Sequence, residues 1–155
     1  MSKTKTLDDV KELLNGEITD SGYKLNCDFS EVSGEDYLKI IAVDYEKYPV
    51  IARIEDFEGQ NKNSRIIFQV NLFNEKELNK AQQNELNKEF LTVNSIIDLS
   101  SVSIANGVYI LFGELSATSS DEDILIEVDT LLNNLLNVLD DLLERVENLG
   151  DYKYA

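Results

Sequence analysis

The sequence predicts an α+β domain with one mostly antiparallel sheet, and three observations carry that expectation. Runs with an apolar residue at every second position follow one another across short polar connections. Segments with helical spacing are set between those runs and do not alternate with each of them, which argues against a doubly wound fold. Asn106-Gly107 stands between two apolar stretches, and both residues tolerate the positive φ that a type I′ hairpin turn demands. The element order is then α-β-β-β-β-α-β-β-α, with the helices packed largely on one face of the sheet.

Thr6 can cap a first helix whose opening turn holds Asp8 and Asp9, where negative charge suits the helix dipole. Leu7, Val10, Leu13 and Leu14 form its apolar stripe, and Gly16 ends it. "YKLNCDF" sets Tyr23, Leu25, Cys27 and Phe29 against Lys24, Asn26 and Asp28, the period of a half-buried strand. "YLKIIAVDY" and "VIARIEDF" are the next two strands, with Glu46 to Pro49 as their turn. "RIIFQVNLF" places Ile66, Phe68, Val70 and Leu72 on one face, and the polar stretch Glu58 to Ser64 reads as the loop before it. A second helix covers about Glu75 to Phe90, with Asn74 and Glu77 at capping-box spacing and a thin apolar face of Leu78, Ala81, Leu86 and Phe90. Two strands meet at "IANGVYILF", and Gly113 marks a bulge or a close backbone approach, or lets the strand bend before the last helix. That helix runs over about Asp121 to Leu149, capped by the pair Ser119 and Glu122.

Length and composition fit a single domain over residues 1–155, with 43% apolar residues to build a core without staples. One proline and seven scattered glycines leave no linker. The longest apolar run, Val108 to Phe112, is far short of the ~20 residues that cross a bilayer, so no membrane insertion is expected. The start "MSKTKTLDDV" lacks the apolar stretch of a signal peptide, and the expected location is cytoplasmic.

Absent residue types exclude whole classes of chemistry. With Cys27 as the only cysteine, neither an intrachain disulfide nor a multi-thiolate site can form. With no histidine, Ser-His-Asp and Cys-His triads and histidine-ligated zinc are ruled out. Thirty acids against fourteen bases leave a net charge of −16, which repels phosphate backbones and anionic headgroups. Direct nucleic-acid binding is therefore not expected, whereas a basic partner protein is easily accommodated. Ten acids against two bases fall from residue 116 onward, so half the excess lies in the last quarter of the chain.

Several groupings invite a chemical reading and have a plainer one. Asp121-Glu122-Asp123, with Glu127 and Asp129 beyond, has no glycine-centred turn and fails the calcium-loop pattern; its acids suit the positive end of a helix. The pairs Asp8/Asp9, Glu55/Asp56 and Asp140/Asp141 read as solvated surface charge on so acidic a chain. "GELSATSS" is neither G-x-S-x-G nor a Walker loop, and no histidine exists to serve as its base. Cys27 shares a strand face with Leu25 and Phe29 and reads as a buried, inert thiol.

The last helix is richer. Ile124, Leu131 and Val138 recur every seven residues, as do Val128, Leu135, Leu142 and Leu149. Leu125, Leu132, Leu139 and Val146 form an adjoining row, with Leu136 and Leu143 beyond. Lying on a sheet requires an apolar arc of about 100°, and these rows cover more. Part of this face can meet the first helix, a second subunit or a partner helix.

"YILFGELSATSSDEDILIEVDTLLNNLLNVLDDL", Tyr109 to Leu142, resembles the C-terminal part of the YjfI-like family of uncharacterised bacterial proteins. The likeness lies in the L-F-G-x-L-S segment at Leu111 to Ser116, the acid-rich helix start at Asp121 to Asp123, and the E-x-x-T-L-x-x-N run from Glu127 to Asn134. The resemblance implies no activity. Genes of that family often lie beside those of phage-shock-type coiled-coil proteins, which implies an adaptor or regulatory role in envelope stress. The element order is also similar to that of type III secretion chaperones, small acidic proteins that dimerise and hold partner segments.

These readings converge on a non-enzymatic interaction module with no cofactor or metal, expected as a homodimer. Its expected partner is another protein, a coiled-coil membrane-stress protein by the resemblance. Leu125, Leu132, Leu136, Leu139, Leu143 and Val146 are the expected partner-binding residues. The alternatives are a carboxylate-based metal-dependent hydrolase using the acids between Asp121 and Asp129, and an acidic nucleic-acid mimic.

Overall fold

A computed structural model describes residues 4–56 and 64–145 of the chain. Three helices and six strands follow the expected order: α1 (Leu7–Leu14), β1 (Leu25–Val32), β2 (Glu35–Ala42), β3 (Val50–Asp56), β4 (Ser64–Asn74), α2 (Lys80–Asn94), β5 (Ser101–Ala105), β6 (Val108–Ser116) and α3 (Asp121–Arg145). The strands form one antiparallel sheet in the order β1-β2-β3-β4-β6-β5. Asn106 (φ 52°) and Gly107 (φ 78°) make the β5–β6 turn, as the dipeptide demanded. Ser33 (φ 53°) and Gly34 (φ 81°) make the same kind of turn between β1 and β2.

The helices share a single core with one face of the sheet. Val10 and Leu14 of α1, Leu86, Phe90 and Val93 of α2, and Ile124, Val128, Leu131 and Leu135 of α3 are buried in one cluster. From the sheet that cluster takes alternate residues, such as Ile66, Phe68 and Val70 on β4 and Tyr109 and Leu111 on β6. A bulge between Asn71 and Phe73 puts both Leu72 and Phe73 into the core. The Tyr109 ring meets Phe90 edge to face at 5.1 Å, and its hydroxyl donates to Asn87 Oδ1 at 3.0 Å.

Three local expectations need correction. Asn74 caps only a 3-10 turn over Glu75–Glu77, while α2 starts at Lys80 and runs on to Asn94. Asn79 and Gln82 form the reciprocal capping box there, and buried Leu78 draws the intervening chain into the core. At α3 the capping residue is Ser120, whose Oγ accepts from the Asp123 amide at 3.1 Å. Ser119 is held one residue earlier by a turn bond from its amide to the Ser116 carbonyl. Gly113 does not bend β6, because its pairing opposite Phe68 is regular.

Both edges of the sheet are covered in the same way. Across the two-residue turn, Ala105 and Val108 form the closing pair, so the Val102 amide and carbonyl point away from β6. Asn94, at the end of α2, binds both of them: its Nδ2 donates to Val102 O at 3.1 Å and its Oδ1 accepts from Val102 N at 2.7 Å. On β1, Leu25 exchanges bonds with Gly16 and Glu17, and the Cys27 amide donates to Oδ1 of Asn15, the C-cap of α1, at 2.9 Å. An asparagine closing each of these helices thus stands in for a neighbouring strand.

Candidate functional site

Part of the face of α3 expected to meet a partner belongs to the chain's own core. Leu132 and Leu139 are buried among core residues. The apolar rows are wide because α3 serves the sheet and α2 at once. Leu136 is half-buried. Leu125 packs partly on the core and, with Ile18 and Ile126, lines a small cleft of about 140 Å³. Leu143 lies on α3, and Val146 is outside the described residues.

The acids at the head of α3 hold the chain together. Asp121 pairs with Lys5 at 3.3 Å, and Lys5 also donates to the Ser119 carbonyl at 2.9 Å, tying the N-terminal segment to the helix start. Asp129 accepts from the amide and hydroxyl of Ser21 at 3.1 and 2.8 Å, while Asn133 accepts from the Tyr23 hydroxyl at 2.7 Å. Those bonds fasten the α1–β1 connection to α3. Among the described residues no three acidic or thiol side chains converge on a metal-sized site. Cys27 is buried, and burial pushes its thiol up to about 11, far from a reactive thiolate.

Glu127 is different. It is 2% exposed, its Oε1 has no hydrogen-bond partner among the described residues, and burial raises its carboxyl to about 7. The carboxyl occupies the space over Gly113, where a Cβ would collide with Oε1 and approach the Leu99 carbonyl oxygen at 3.0 Å. Glycine lets the β6 backbone form the floor under the Glu127 carboxyl group, which any larger residue would displace. Leu99 itself has φ 63°, a conformation that costs a branched residue about 1 kcal/mol or more. It is held there by Asn134, two turns along α3 from Glu127, which donates to the Asp98 carbonyl at 2.8 Å and to Ser100 Oγ at 3.1 Å. Gly113, Glu127 and Asn134 had appeared in the sequence as separate motif positions. The fold gathers them around the α2–β5 connection.

That connection borders an apolar exposed surface. Leu91 is 75% exposed, Ile96 68%, Leu99 58% and Ile104 44%, four of the eight large apolar side chains that face solvent among the described residues. Leu91 and Ile104 line a groove of about 230 Å³ between α2 and β5, floored by Phe90, Val102 and Tyr109. Sequence reading missed this surface because α2 has a weak apolar period: Leu91 follows the buried Phe90 directly and turns outward. Its one signal was a pair of apolar residues, Ile96 and Leu99, within a connection.

The structure thus combines an antiparallel sheet with helices on one side, a buried carboxyl and an apolar corner. The chain belongs to a bacterial family described as "Uncharacterized protein conserved in bacteria (DUF2170)", whose model matches residues 4–145. An uncharacterised bacterial family is what the C-terminal motif had suggested. No curated protein matches the chain. No helix is long and apolar enough to cross a membrane among the described residues.

Proposed function

We propose that this protein is a non-enzymatic interaction module that takes an apolar segment of a partner protein at the corner made by α2, the α2–β5 connection and β5. The observation that carries this reading is the exposure of Leu91, Ile96, Leu99 and Ile104 within fourteen residues of chain, beside an uncharged groove. Leu91 and Ile104 flank the groove and supply the apolar contact. The net charge of −16 around it favours a partner whose apolar residues are interleaved with Lys and Arg. The YjfI-like resemblance of residues 109–142 supports a coiled-coil membrane-stress protein as that partner, and such helices combine both features.

The test uses the full chain and its Leu91→Ser/Ile104→Ser double variant, both verified as folded by circular dichroism. Each is titrated by calorimetry with a purified phage-shock-type coiled-coil protein. Micromolar binding by the parent chain, weakened tenfold or more in the variant, supports the reading. Equal binding by both chains removes the corner as the site. No binding by the parent chain removes this class of partner.

A further inference from the structure

The sheet face opposite the helices carries an unusual charge balance. Among the described residues no helix lies on it, since all three join the core on the other side. By strand alternation it presents Ile41, Ile51, Ile67, Ile110 and Phe112, of which Ile67 and Ile110 are buried yet stand outside the core cluster. Its charges are Lys39, Arg53 and Arg65 against Asp28, Glu35, Glu55 and Glu114, a net of −1 on a chain of −16. Register neutralises much of this internally: Asp28 stands opposite Lys39, and Glu55 opposite Arg65. A polar line crosses the middle. Arg53 Nε donates to Glu55 at 3.2 Å, Arg53 Nη1 to Gln69 at 2.9 Å, and Gln69 Nε2 to Asn71 at 3.0 Å.

We infer that this face is where two copies of the chain meet, back to back through their sheets. The remaining excess of acid lies off this face, so outside it and the small apolar corner two approaching copies repel. A face with a net charge of only −1 offers little steering to a basic partner, but it lets an equally acidic copy approach. The mixture of apolar side chains and hydrogen-bonded polar ones is that of a reversible interface, not of a core. Arg53 and Gln69 are already held in place, which lowers the entropy lost on contact. Six strands spaced ~4.8 Å apart and about five residues long give a face of roughly 500 Å² per copy. The total of about 1,000 Å² is at the threshold of a specific interface.

Sedimentation velocity of the full chain between about 1 and 300 µM tests this, with the micromolar affinity expected of so small an interface. A dimer should form, and it should tighten several-fold when NaCl is raised from about 50 to 500 mM, because salt screens the repulsion between copies. Phe112→Glu should weaken it at least tenfold. Ser101→Glu, an exposed position opposite Phe112 in the register, does the same without touching any buried group and keeps the test decisive should Phe112→Glu misfold. Leu91→Ser/Ile104→Ser should leave the dimer intact, so this inference and the partner site at the corner fail separately. A monomer throughout the range, a dimer loosened by salt, a dimer indifferent to both glutamates, or one lost in the Leu91/Ile104 variant each overturn the assignment.

Discussion

Glu127 takes its proton more readily in the folded protein, where burial raises it to about 7, than in the unfolded chain, where it titrates near 4.5. Between those values the folded state binds more protons, so the Glu127 contribution to stability grows as pH falls through about 7 and is complete below about 4.5. Above about 7 the ionised carboxylate is a standing penalty. The full shift corresponds to about 3 kcal/mol, and water drawn toward an ionised group reduces it, so about 1–2 kcal/mol is expected. Glu127→Gln keeps the shape without the charge. It should raise stability by that amount at pH 8 and leave it nearly unchanged at pH 4.5, as measured by urea unfolding at the two pH values. Equal effects at both would show that Glu127 is not the titrating group. The neighbouring glycine gives a second test. Gly113→Ala should cost about 2–3 kcal/mol, because the methyl meets the Glu127 carboxyl over a rigid strand. In the double variant Gly113→Ala/Glu127→Ala part of that loss should return, and strict additivity would mean that the two do not touch.

At the scale of elements, what was legible depended on whether a pattern had one cause. The strands were readable because alternation reports burial directly: Ile66, Phe68 and Val70 face the core as their spacing implied. The apolar rows of α3 had two causes, contact with β6 and contact with α2, and spacing alone could not divide burial from partnership. Leu132 and Leu139 fell on the buried side, so Leu132→Ser should cost about 3 kcal/mol or more and broaden the unfolding transition, whereas Leu91→Ser should cost little. Spacing could not choose between a bulge, a bend and a close approach at Gly113, because the side chain that needs its space lies fourteen residues on, a distance no local pattern spans. The edge asparagines were equally hidden. Asn15 and Asn94 look like ordinary helix ends, and only the register of β1 and β5 shows what they bind. Asn94→Ala should destabilise by about 1–2 kcal/mol through the two orphaned groups of Val102, and it should speed aggregation by opening the β5 edge. Thioflavin fluorescence and light scattering at equal folded fraction would separate those effects, and an unchanged aggregation rate would leave Asn94 only a local anchor.

For the whole molecule the dominant fact is a charge of −16 on 155 residues, with the acids spread over helices, turns and strand ends. Compaction brings these charges closer than they stand in the unfolded chain, and the excess repels itself over the whole surface. Local bonds such as Lys5 to Asp121 relieve single sites, but too few bases exist to answer thirty acids. The folded state should therefore be stabilised by screening. Raising NaCl from about 20 to 300 mM shortens the reach of each charge from ~20 to ~6 Å. A gain of about 1–2 kcal/mol is expected, which for a chain of this size raises Tm by several degrees. Calorimetry or fluorescence melting should be run at about 1 µM protein, where self-association contributes little. It should also be held at pH 8, where Glu127 is ionised in parent and unfolded chain alike and its proton does not enter the comparison. An equal ionic strength of KCl should match NaCl, since screening depends on charge and not on ion identity. A Tm that stays flat or falls across that range would mean that the acids are already balanced within the fold, and it would remove the repulsion on which the choice of the near-neutral sheet face as the meeting surface depends.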